Sequence, residues 1–111
     1  NDLRALMAQA LKQQGYKALE AANGEEGLLL FDKYRQEINL IVTDIVLPMM
    51  TGLELTDLLR PLCSQMKVVY VSGYPENPEL KKRNLTPDGN FIPKPFSLED
   101  LATKIRKVLD Q

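Results

Sequence analysis

The chain has 111 residues, 44% of them hydrophobic, which is one domain's worth with a single buried core. A formal net charge of −1 gives no electrostatic footprint for nucleic acid or an anionic membrane, and no apolar run approaches the ~20 residues of a membrane span. There is no signal-peptide pattern and no histidine, and the one cysteine, Cys63, reads as a small buried hydrophobe in a cytoplasmic protein. Any chemistry falls to carboxylates, hydroxyls and lysines.

Residues 2 to 14 carry Leu3, Leu6, Met7, Ala10 and Leu11, a helical stripe that stops at Gly15. "YKALEA" then predicts a short strand. Asn23 and Glu26 stand at capping-box spacing and open a second helix over 24 to 35, with Leu28, Phe31 and Arg35 on successive turns. "NLIVTD" predicts the next strand. Thr51 and Glu54 repeat the capping spacing for a third helix that Pro61 should end. "MKVVYV" predicts a strand, "SGYPENP" a breaker-rich loop, and residues 79 to 83 a turn or two of helix at most. "NFIP" is a brief strand, and Ser97 with Asp100 caps a last helix bearing Leu101, Ile105, Val108 and Leu109.

Helices alternate with strands that are continuous apolar runs, the pattern of a parallel sheet covered on both faces. The fold class is therefore α/β, a doubly wound parallel sheet. The chain opens on a helix with no strand ahead of it, and four strands make a thin open sheet. A further strand upstream of Asn1 is expected.

Ligands of open parallel sheets sit at the carboxyl ends of the strands. Asp44 ends "NLIVTD", Ser72 follows "KVVYV", and Lys94 follows "NFIP". Parallel strands bring all three to one edge of the sheet. A carboxylate, a hydroxyl and an ammonium there suit phosphoryl handling, with the carboxylate as nucleophile and the other two stabilising oxygens of the transferred group. Singly, each has an ordinary alternative. Asp44 alone would be a loop residue making local hydrogen bonds, Ser72 before a glycine a turn residue, and Lys94 between prolines a solvated loop lysine. The three together, each at a strand end, are harder to ascribe to chance.

"TDIVLPMMTG", "VSGY" and "IPKPF", in that order and at these separations, resemble the receiver domains of two-component response regulators. The resemblance covers essentially the whole chain, from "LRALMAQALKQQGY" through "AANGEEGL" to the last helix. It implies a flavodoxin-like fold of strand order 2-1-3-4-5 with the first strand missing, so that residues 1–111 are an N-terminally incomplete receiver domain.

The same resemblance implies roles. Asp44 is the phosphoacceptor, served by a phosphohistidine on a histidine kinase or a histidine phosphotransfer protein. Ser72 contacts the phosphoryl oxygen and Lys94 pairs with it. Magnesium is the implied cofactor, held by Asp44 and the backbone carbonyl of Val46. Pro48 and Gly52 match the loop after the acceptor, and Pro95 matches a proline preceded by a cis peptide. Phe91 falls at an aromatic switch position, where plain core packing is the competing reading. A homodimer is compatible with the family, and the domain itself is expected to touch neither nucleic acid nor membrane and to work in the cytoplasm.

Two features depart from the pattern. The family's acidic, magnesium-binding pair aligns ahead of Asn1, and Asp2 falls instead at the start of the first helix, where an N-cap or first-turn role is expected. Between 75 and 90, Pro75, Pro78, Pro87 and Gly89 leave little room for a regular helix. With "VSGY", this segment is similar to receivers at the C-termini of hybrid sensor histidine kinases.

The competing class is a phosphorylation-independent interaction module of the same fold, which the displaced acidic pair keeps open and the intact Asp44, Ser72 and Lys94 oppose. A dehalogenase-like phosphatase needs a second Asp two residues after the first, where Val46 stands. A flavodoxin-like electron carrier would want a hydroxyl- and glycine-rich phosphate loop after its first strand, which the chain does not offer.

Overall fold

The computed structural model describes residues 2–45, 50–63, 66–73 and 90–110. Within them the order is α1 (Asp2–Gln13), α2 (Gly24–Tyr34), β1 (Leu40–Asp44), α3 (Gly52–Leu59), β2 (Lys67–Ser72), β3 (Phe91–Pro93) and α4 (Leu98–Leu109). The strands form one parallel sheet in the order β1-β2-β3, with Thr43 beside Tyr70 and Tyr70 beside Phe91 in register.

The helix boundaries follow local chemistry. The Asn23 side chain accepts the Glu26 N–H, while Glu26 accepts the Ala22 N–H. Thr51 with Glu54, and Ser97 with Asp100, close full capping boxes. Helix α1 ends at Gly15, whose φ of 95° is open to glycine; the Gly15 N–H bonds the Lys12 carbonyl and the Tyr16 N–H the Leu11 carbonyl, the paired bonds of a Schellman stop. Helix α3 ends at Leu59, with Pro61 two residues beyond.

Successive residues of a strand face opposite sides of a sheet, and β2 shows it. Val68 and Tyr70 join Phe31 of α2, Leu53, Leu55 and Leu59 of α3, and Phe91 of β3 in one core. Val69 and Val71 join Ile92 and the Leu101, Ile105 and Val108 of α4 in the other, with Met7 and Leu11 of α1 packed against it. Two helices on each face make the sheet doubly wound, as expected.

One predicted strand is corrected. "YKALEA" forms no ladder, and β1 has a strand neighbour on its β2 side alone among the described residues. A strand is defined by a partner's backbone, and none of the described strands lies beside residues 16–21; Tyr16, Glu20 and Ala21 contact helix side chains. The Tyr16 hydroxyl accepts from Arg106 of α4 at 2.8 Å, Glu20 pairs with Arg4 at 3.5 Å, and the Ala21 carbonyl accepts from Arg4 at 3.4 Å. The segment is thus strapped to α1 and α4. The weak helix expected over 79–83, most of the proline-broken segment, and Val46 and Pro48 lie outside the described residues. Cys63 is half-buried against the α2/α3 core, in keeping with its reading as a small hydrophobe.

Candidate functional site

Register brings the three expected residues to one edge. Asp44 is the last residue of β1 and Ser72 the last of β2, and Lys94 follows β3 directly. Two backbone bonds extend the ladder past the strand ends: the Ile45 N–H to the Val71 carbonyl at 3.0 Å, and the Lys94 N–H to the Ser72 carbonyl at 2.8 Å. The second fixes the Lys94 main chain beside Ser72 and so sets where its long side chain starts.

That side chain reaches across β2 to β1. Lys94 Nζ donates to Asp44 Oδ2 at 2.5 Å, a charge-assisted hydrogen bond between groups 34% and 32% exposed. The acid is therefore held in place and still open to an incoming reagent. Ser72 is buried, at 1% exposure, at the end of the strand between them. The Lys94–Pro95 peptide is cis.

The backbone behind Asp44 is tightly constrained. The Gly52 N–H donates to the Ile45 carbonyl at 2.8 Å, closing the loop after β1 onto its own start. A Cβ at Gly52 would overlap the Asp44 carbonyl oxygen and crowd the Thr43 hydroxyl, which itself donates to that carbonyl at 3.0 Å. Gly52 is there because the start of α3 lies against the main chain of the strand end.

Phe91 is 1% exposed and packs in the α2/α3 core, in the same sheet row as Tyr70. Sequence reasoning missed what stands next to it. The Thr56 hydroxyl of α3 donates to the Leu53 carbonyl at 3.1 Å, leaving the Tyr70 hydroxyl to donate to Thr56 at 2.6 Å. The signal for this pair was the inward parity of Tyr70 in β2, which requires a buried partner for its hydroxyl.

Among the described residues no group of three acidic, histidine or cysteine side chains converges on one point. Asp44 supplies one hard carboxylate at the edge. Magnesium keeps several waters and takes one or two carboxylates together with phosphate oxygens, so this donor fits the ion as one ligand of a shared shell. Val46, the other expected ligand, is outside the described residues. No helix of the described residues is long and apolar enough to cross a membrane.

Comparison with known proteins agrees with this architecture. The family model described as "Response regulator receiver domain" matches residues 1–106. The chain is 39% identical over 104 residues to Sensor kinase CckA of Brucella abortus, covering 92% of this chain and 11% of that protein. It is 29% identical over 110 residues to Response regulator receiver protein CpdR of the same organism, covering 98% and 89%. The crystal structure of the receiver domain from the hybrid histidine kinase CckA superposes with a TM-score of 0.78 at 30% identity, covering 96% of this chain and 88% of that one. The chain thus spans about a tenth of the sensor kinase it matches and most of the receiver protein CpdR. The parallel sheet wound on both faces, its polar carboxyl edge and these matches place the chain in the response regulator receiver domain family of two-component signalling.

Proposed function

We propose that the domain accepts a phosphoryl group on Asp44 from a phosphohistidine of a histidine kinase or a histidine phosphotransfer protein. The observation that carries this reading is the partly exposed Asp44 carboxylate at a strand end, anchored by Lys94 at 2.5 Å. An Asp44 oxygen attacks phosphorus, the phosphorus–nitrogen bond to the donor imidazole breaks, and an acyl phosphate forms as the imidazole leaves. Lys94 pairs with the carboxylate beforehand and with the phosphoryl oxygens afterwards, so its charge is placed where negative charge builds. Ser72, at the end of the intervening strand, offers a hydroxyl to the same oxygens. A bound magnesium ion would supply further neutralisation of those oxygens, with Asp44 as a ligand.

Phosphorylation then shifts the position of Ser72 and Lys94, and Phe91, at the start of β3 and three residues before Lys94, passes the shift to the surface formed by β2, β3 and α4. The likeness to a sensor kinase's receiver favours a place within a hybrid kinase, and the likeness to CpdR favours a separate regulator; a cytoplasmic location is part of the same proposal. The test is incubation with magnesium and a small phosphodonor, such as acetyl phosphate, for the native chain and Asp44→Asn. Label that is lost with hydroxylamine and absent from the variant supports the reading. Undiminished label in Asp44→Asn overturns it.

A further inference from the structure

Gly24 is the first residue of α2 and is buried, and its neighbour comes from a distant part of the chain. A Cβ placed on Gly24 would overlap the Sδ and Cγ of Met50. The Met50 thioether therefore lies directly on the start of α2, filling the space that any other residue at 24 would need. Met50 also packs against the core shared by α2 and α3.

Met50 sits where the acceptor loop turns into α3. The next residue, Thr51, caps that helix, accepting the Glu54 N–H at 3.0 Å. The residue after it, Gly52, holds the Ile45 carbonyl at 2.8 Å and lies against the Asp44 carbonyl. Contact at Gly24 thus reaches the main chain of Asp44 through two residues whose own geometry is fixed by hydrogen bonds.

We propose that Met50, seated on Gly24, is a positioning residue for phosphoryl transfer at Asp44: it braces the start of α3, and through Gly52 the main chain of Asp44 and Ile45, against the N-terminus of α2. The inference rests on Asp44 being the acceptor. A transfer step depends steeply on placement, with about 1 Å of misplacement costing up to ~100-fold in rate. Met50 is also the part of this contact that can yield. Its unbranched side chain swings away from an intruding methyl, whereas alanine at the first turn of a helix is no worse a helix former than glycine. Substitution at Gly24 therefore moves the brace and leaves the helix in place.

The experiment measures the initial rate of Asp44 labelling by acetyl phosphate in magnesium, per folded molecule, for the native chain, Gly24→Ala, Met50→Ala and the double variant, each with its melting temperature. Gly24→Ala is expected to label about tenfold more slowly while melting close to the native chain. Met50→Ala is expected to slow labelling comparably, and adding Gly24→Ala to it should bring no further loss, because the two changes act through one contact. Equal rates for Gly24→Ala and the native chain overturn the proposal, as does a further loss in the double variant. If Gly24→Ala alone does not fold, the comparison of the double variant with Met50→Ala still decides. A native chain that takes no label at Asp44 fails at the earlier step and removes the acceptor reading itself.

Discussion

Lys94 Nζ lies 2.5 Å from Asp44 Oδ2, linking the residue after β3 to the last residue of β1 across the intervening strand. Both side chains are about a third exposed, so the pair sits at an edge that solvent and a partner can reach. Ion pairs of this exposure contribute little to stability, typically below about 1 kcal/mol. Its value is in placing charge.

Lys94→Arg keeps the charge and replaces a compact ammonium with a planar fork. The melting temperature should stay near native while labelling of Asp44 falls, by about 100-fold if Lys94 acts as oxyanion-type stabilisers do. Ser72→Ala should likewise change the lifetime of the phosphorylated state more than it changes folding. A variant that melts far lower, yet labels normally in its folded fraction, would assign these residues to structure alone.

Gly52→Ala should behave in the opposite way. The new methyl meets the Asp44 carbonyl, which is main chain and cannot rotate aside. Overpacking of this kind costs about 1–3 kcal/mol, and urea unfolding should show it directly. A neutral Gly52→Ala would mean that the start of α3 is not pressed against the strand end.

The buried hydroxyl pair makes an asymmetric prediction. Thr56→Val deprives the Tyr70 hydroxyl of its acceptor in a core where Thr56 is 0% and Tyr70 2% exposed, at a cost of about 1–3 kcal/mol. Tyr70→Phe should cost less, because Thr56 keeps its bond to the Leu53 carbonyl. The double variant should recover part of the Thr56→Val loss. Equal costs for the two single variants would contradict the donor assignment.

Much of this was legible because it is local. Asn23 with Glu26, Thr51 with Glu54, and Ser97 with Asp100 announce their helices by spacing alone, and all three caps form. The gathering of Asp44, Ser72 and Lys94 was legible too, since parallel strands put their carboxyl ends together whatever their exact register. "YKALEA" misled because it has strand composition, while a strand also needs a neighbouring backbone and Tyr16 and Glu20 are claimed by Arg106 and Arg4. The Thr56–Tyr70 and Gly24–Met50 contacts join residues brought together by packing of helix on sheet and helix on loop. No local pattern encodes which inward residues will meet.

Phe91 should matter twice. Its ring is 1% exposed in the α2/α3 core, so Phe91→Ala should cost about 3–5 kcal/mol. Phe91→Leu, which retains most of the burial, should fold and still accept label but transmit less. Amide exchange with and without a phosphoryl mimic such as beryllofluoride should change most at the end of β2, β3 and Lys94–Phe96 in the native chain, and that difference should shrink in Phe91→Leu. Changes concentrated instead on α2 would show that the signal leaves by another face.

The central claim is that the carboxylate of Asp44 takes the phosphoryl group, and the most direct measurement locates the modified atom. After reaction with a phosphodonor in magnesium, borohydride reduction converts an aspartyl phosphate to homoserine, which peptide mass spectrometry places in the sequence. The account predicts homoserine at position 44, dependent on the phosphodonor and absent without it. Homoserine at another aspartate, with position 44 unchanged, would contradict it.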